Sequence, residues 1–215
     1  MLTNFVNCFR AIIFVIVFDF SIVVPVEADE IRLSILGDSL VAGYGLAKED
    51  SFPKRLEASL KALGYSVQVL NAGVSGDTTA GGKERLNWIL KKNPHALVVA
   101  LGANDGLRGL DPELTYQNLR IILEKFRKRG IPVLLCGAKA PPNLGKEYGG
   151  RFNSVFPQLA KEFDVEFYPF FLEGIAAVPS LNQADGIHPN PEGVNALVER
   201  ILSATIRLLE RAKRK

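Results

Sequence analysis

From residue 30 onward the sequence alternates between short apolar, β-rich runs and longer segments with helical spacing. No other feature restricts the fold as much. Runs at 31–36, 66–70, 96–101, 131–136 and 165–168 read as strands. Three of them contain near-continuous apolar stretches: LSIL at 33–36, LVVAL at 97–101 and VLLC at 133–136. That is the pattern of strands covered on both faces. Helical patterns occupy 53–63, 79–92, 112–129, 151–163 and 191–213. Asp111-Pro112-Glu113 and Asn190-Pro191-Glu192 place a capping residue before a proline at the first helical position. Gly64 and Gly130 stand where a left-handed residue ends a helix. The alternation predicts an α/β fold, a parallel sheet with helices on both sides joined by right-handed crossovers. No repeat, low-complexity tract or linker divides residues 29–215, which are expected to form one domain.

In such sheets, chemistry gathers beyond the carboxyl ends of the strands. Gly37-Asp38-Ser39-Leu40 follows the first strand, and 71–78 (NAGVSGDT) follows the second. Gly102-Ala103-Asn104-Asp105-Gly106 follows the third, and Asp185-Gly186-Ile187-His188-Pro189 precedes the last helix. Four polar, glycine-bearing loops are thus expected at one edge of the sheet.

Composition narrows the chemistry. The chain holds two cysteines, Cys8 and Cys136, and two histidines, His95 and His188. Without a cysteine pair or a His-x-x-x-His spacing, neither a zinc site nor any other metal or cofactor is expected. The net charge of +3, from 26 basic and 23 acidic residues, is too balanced for a nucleic-acid partner. Cofactor-free hydrolysis or simple binding remains.

The amino terminus reads as a leader. Residues 11–24 (AIIFVIVFDFSIVV) are apolar at 12 of 14 positions, Arg10 precedes them, and Val26-Glu27-Ala28 offers a cleavage site before Asp29. The run is shorter than the ~20 residues of a membrane span, and Asp19 interrupts it. A cleaved signal peptide at 1–28 is expected, giving a periplasmic or secreted protein. Cys8 then leaves with the leader, so Cys136 has no disulfide partner.

Ser39 leaves an apolar strand directly into a turn. A hydroxyl there becomes a nucleophile only if a base takes its proton and a third group orients that base. His188 is the one histidine in a loop of this kind, and Asp185 lies three residues before it. Its carboxylate could receive the imidazole Nδ1–H and favour the imidazolium formed during attack. The Ser39 and Gly73 backbone N–H groups and the Asn104 amide are candidate donors to a tetrahedral oxyanion.

These blocks resemble the SGNH, or GDSL, hydrolases. Gly37-Asp38-Ser39-Leu40 matches the first block of that family, Gly73 within NAGVSGDTT the second, Gly102-x-Asn104-Asp105 the third, and Asp185-x-x-His188 the fifth. The resemblance runs from Ile31 to the carboxyl terminus, with the blocks in order. ILGDSLVAGYGL, GANDGLRG and DGIHPN are most similar to its periplasmic multifunctional arylesterase, thioesterase and lysophospholipase group. The resemblance implies a three-layer, flavodoxin-like sheet of five parallel strands. It also implies Ser39 as nucleophile, His188 as base, Asp185 as its orienter, and Ser39, Gly73 and Asn104 as oxyanion hole. Ala103 departs from a position where relatives often carry a second glycine. Leu107, Ala140 and Pro141 are expected to wall an acyl groove beside Ser39. The implied substrates are small acyl esters or thioesters, with transient membrane-lipid contact as an option and no obligate protein partner.

Other motifs read as structure. Gly76 to Lys83 lacks the Gly-Lys-Ser/Thr of a phosphate loop, and Gly43-x-Gly45 lacks a third glycine. Asp77 reads equally as a support for its loop or a solvated turn residue, His95 as a cap on the third strand, and Cys136 as an inert core thiol. The cations at 207–215 read as complements to a helix carboxyl terminus rather than a lipid contact. A carbohydrate O-deacetylase and a non-catalytic binding domain are the rival readings.

Overall fold

The computed structural model describes residues 30–213, and the expected leader lies outside them. Five strands, β1 (Ile31–Gly37), β2 (Val67–Gly73), β3 (Ala96–Ala100), β4 (Val133–Cys136) and β5 (Glu166–Tyr168), form one sheet. Their order is β2-β1-β3-β4-β5 and every neighbouring pair is parallel. The helices are α1 (Ser39–Ala42), α2 (Phe52–Ala62), α3 (Thr79–Glu84), α4 (Leu86–Leu90), α5 (Ala103–Leu107), α6 (Pro112–Arg127), α7 (Lys146–Phe163) and α8 (Pro191–Lys213). This is the five-stranded order of flavodoxin-like folds.

The two-residue period of the strands sorts their side chains into two cores. Leu33 and Ile35 of β1 and Val98 of β3 face Phe52, Leu56 and Leu60 of α2 and Leu197, Ile201 and Leu208 of α8. Leu36, Leu97 and Val99 face the other way, onto Ile89 of α4, Ile122 and Phe126 of α6, and Phe152 and Phe156 of α7. Every residue of β3 and β4 is therefore buried, which explains their unbroken apolar runs. Fully burying one Leu or Phe side chain contributes about 1.5–3 kcal/mol, so both layers hold the sheet.

Where elements depart from the sequence pattern, a local cause is visible. Asn71, Ala72 and Gly73, expected in a loop, continue β2 because Gly73 stays in register with Gly37. The helix expected over 79–92 divides at Arg85, with φ −90° and ψ 0°. The Arg85 guanidinium reaches away to Asp77, the Ala72 carbonyl and the Gly37 carbonyl. Helix α7 begins five residues before 151 despite Gly149 and Gly150, since the Tyr148 ring stacks on Phe152 and its hydroxyl donates to the Leu110 carbonyl at 2.8 Å.

The site is placed by topology. β1 and β3 are neighbours, but their following helices go to opposite faces, so a crevice opens above their carboxyl ends. Ser39 and Asn104 stand at its two sides.

Candidate active site

Ser39 is the first residue of α1, and Asp38 caps that helix, its Oδ1 accepting the Leu40 N–H at 3.0 Å. The turn from strand to helix is tight. A Cβ on Gly37 would lie 2.2 Å from Val41 Cγ2 and 3.0 Å from the Ala100 carbonyl oxygen, so only glycine lets α1 fold back over β1. A Cβ on Gly73 would lie 2.2 Å from the Ala42 nitrogen, which makes Gly73 the bed on which α1 rests.

His188 arrives from the segment before α8. Asn182 bridges to Pro189, and the Gln183 N–H donates to the His188 carbonyl at 2.8 Å. The Gln183 side-chain amide donates to the Tyr44 and Pro189 carbonyls, tying this loop to the one after α1. His188 Nε2 lies 2.9 Å from Ser39 Oγ, and Nδ1 lies 2.7 Å from Asp185 Oδ2. The other Asp185 oxygen accepts the Ile187 and His188 backbone N–H groups at 2.9 and 3.0 Å. Those two N–H bonds, followed by the imidazole, hold the Asp185 carboxyl down at about 2. An ionised carboxylate only accepts, so the Nδ1–H tautomer is favoured and the Nε2 lone pair is left for the Ser39 hydroxyl proton. The Tyr44 ring packs 4.6 Å from the imidazole, centroid to centroid.

Asn104 sits on α5 behind Gly102, whose φ of +111° is open to glycine and whose absent Cβ would crowd Phe156 at 2.9 Å. Its Nδ2 donates to the Asp77 carbonyl at 2.9 Å and to Asp38 Oδ2 at 3.3 Å. Burial pushes the Asp38 carboxyl up to about 6, against the opposing pull of the Leu40 N–H and His188. Beneath Asn104, buried Asp105 accepts the Thr79 N–H, the Thr79 hydroxyl and the Thr115 hydroxyl, pinning α5 to α3 and α6. Asp77 is ion-paired to Arg85 and so supports its loop. His95 takes the Arg32 N–H at the start of β3, and Cys136 is buried with its thiol pushed well up by desolvation. Among the described residues no cluster of three His, Cys, Asp or Glu could hold a metal ion.

A cavity of about 670 Å³ opens at Ser39, Asn104 and His188 and is walled mainly by apolar side chains, among them Tyr44, Leu107, Pro141, Phe170, Leu172 and Ile187. Two expected members stand elsewhere. Ala140 is outside the wall, because its N–H is tied to Asn153 Oδ1 and its methyl packs on the α6–α7 core. Gly73 does not line the cavity either, and its N–H donates to Asn71 Oδ1 at 2.9 Å. The sequence gives no sign of Tyr44, Arg85 or Gln183, and it places Asp105 in the third block without a role. Its place beside Asn104 in that block is the one signal available for Asp105.

A parallel α/β sheet with a hydrogen-bonded Ser, His and Asp chain at its carboxyl edge defines a serine hydrolase by class. The sequence profile of the GDSL-like Lipase/Acylhydrolase family matches residues 35–196. The chain belongs to that family. It is 40% identical over 191 residues to the thioesterase 1/protease 1/lysophospholipase L1 of Escherichia coli (strain K12), covering 87% of this chain and 88% of that one. It is 37% identical over 179 residues to an arylesterase of Vibrio mimicus, covering 83% and 90%. The crystal structure of TesA superposes with a TM-score of 0.79 at 39% identity, over 82% of this chain and 99% of that one. The protein is accordingly a serine esterase of the GDSL type.

Proposed function

We propose that the protein hydrolyses medium- and long-chain acyl esters and thioesters through an acyl-enzyme on Ser39. The observation that carries this is the unbroken chain from Ser39 Oγ through His188 to Asp185, at 2.9 and 2.7 Å. Ser39 Oγ attacks the acyl carbon while His188 Nε2 takes its proton, and Asp185 steadies the imidazolium. The bond to the leaving oxygen or sulfur breaks, and His188 returns the proton to that atom. Water then attacks the acyl-enzyme, His188 again accepting a proton, and the carboxylic acid departs with Ser39 restored. The oxyanion is received by the Ser39 N–H and the Asn104 amide, with the Gly73 N–H joining once it is released from Asn71.

The mostly apolar wall supports the acyl preference. Each buried methylene is worth ~0.8 kcal/mol, close to fourfold in binding. Aryl esters, acyl thioesters and lysophospholipids, named for the relatives, are the substrates to try. A p-nitrophenyl ester series from acetate to palmitate, run beside an acyl-CoA and a lysophospholipid, tests the reading. kcat/KM should climb from acetate to chains of six carbons or more. A profile peaking at acetate, with longer esters unreactive, would move the assignment to a deacetylase.

Residues 1–28 read as a leader that delivers the enzyme to the periplasm or beyond. The intact mass of the protein recovered from that compartment should begin at Asp29.

A further inference from the structure

The pole opposite the catalytic edge is formed by the amino-terminal ends of the strands, and there the helices that cover the sheet finish. Lys91 and Lys92 follow α4, Arg127, Lys128 and Arg129 close α6, and Arg211 and Lys213 close α8. Cations commonly complement helix carboxyl ends, and α8 fits that account. Its Arg211 and Lys213 are shared with Glu166 and Glu210 at 3.1 and 2.9 Å. Lys61 and Lys128 are likewise matched by Glu57 and Glu124.

The surplus lies in the two central connections. Residues 91–95 and 127–132, leading into β3 and β4, contain no Asp or Glu. Among the described residues no carboxylate forms an ion pair with Lys91, Lys92, Arg127 or Arg129, all exposed. Glu30 and Asp164 also stand at this pole in chain order, and Glu124 and Glu162 act on Arg127 without forming an ion pair with it.

Helix-end cations do not account for what accompanies them. Leu63 is 55% exposed at the end of α2, and Trp88 is 46% exposed on α4 with Lys92 Nζ 5.6 Å from its ring centroid. Tyr65 carries Lys213 Nζ at 4.5 Å. Between Arg127 and Arg211 lies a cavity of about 380 Å³, walled by Leu123, Ile131, Val133 and Phe163. Exposed Leu63 and Trp88, half-buried Tyr65 and an open apolar cavity, all set among cations, are the composition of a bilayer interface.

We propose that this pole docks on an anionic membrane surface and holds the catalytic edge toward water. The enzyme so placed takes its acyl substrates from the aqueous side rather than out of the bilayer beneath it.

The test uses the chain from Asp29 onward, which keeps all five strands and both cores and lacks the apolar run. It should sediment with phosphatidylglycerol vesicles, far less with phosphatidylcholine vesicles, and be released by salt. Each surface cation contributes about fivefold to such binding, so Lys91→Gln/Lys92→Gln/Arg129→Gln should weaken it at least ~10-fold. Unchanged hydrolysis of soluble p-nitrophenyl acetate shows that this variant is folded. Vesicle-bound enzyme should hydrolyse that ester at the free rate. Equal binding to both lipids, or no loss in the triple variant, overturns the proposal. So does inhibition by vesicles, which would put the catalytic rim of Tyr44, Leu107 and Ile187 against the lipid. Salt-sensitive capture of an RNA oligomer without capture of vesicles would assign the charge to nucleic acid instead.

Discussion

At the scale of single residues, Asp185 and Asp38 show two carboxylates driven in opposite directions. Asp185 is held at about 2 by two backbone N–H groups and the imidazole, so it is ionised at neutral pH. Asp185→Asn keeps an acceptor for those N–H groups but no longer favours the Nδ1–H tautomer. kcat should fall by about 10⁴ with KM little changed, as measured on a p-nitrophenyl ester. Asp38 is raised from 3.8 to about 6 by burial, so between those values the folded state binds the proton more tightly than the unfolded chain. Its contribution to stability is full below 3.8 and is lost as pH rises through about 6. Asp38→Asn cannot ionise. Relative to wild type it should gain about 2 kcal/mol in urea unfolding between about pH 4.5 and 7.5. A difference independent of pH would contradict this origin. The meeting of Ser39, His188 and Asp185 was legible because each residue type has few uses in such loops. Asp38 and Asp105 were not, because their burial and their partners depend on chain segments tens of residues away.

At the scale of elements, the site rests on short helices that carry little stability of their own. α5 spans five residues and is fixed mainly by Asp105 reaching Thr79 and Thr115. Asp105→Ala strands one buried N–H and two hydroxyls. It should cost about 3 kcal/mol or more in unfolding free energy. It should also lower kcat on a p-nitrophenyl ester, because Asn104 loses its footing. Loss of stability with kcat intact would separate Asp105 from the site. Strand–helix alternation was legible, since period and burial agree in β1, β3 and β4. The edge of β2 was not, because Asn71, Ala72 and Gly73 carry turn residues yet keep strand register with β1. Nor was the break at Arg85, which follows from side-chain bonds to carbonyls on two strands.

At the scale of the whole molecule, the sheet order brings Ser39 from β1, Asn104 from β3 and His188 from the segment before α8 to one edge. The apolar walls from 107, 141, 170 and 187 turn that edge into a cleft with room for an acyl chain. The cleft was legible only in part, because Pro141 faces it while neighbouring Ala140 packs on the opposite core. A one-residue change of direction of this kind is set by the Asn153 side chain holding the Ala140 N–H, a contact 13 residues apart in sequence. The central claim is that Ser39 alone forms the covalent intermediate. Its most direct test is to inactivate the enzyme with a fluorophosphonate and locate the adduct by peptide mass mapping. A single adduct on Ser39, absent from Ser39→Ala together with all but a trace of ester hydrolysis, is the predicted result. An adduct on Ser75 or another serine, or hydrolysis retained in Ser39→Ala, would contradict it.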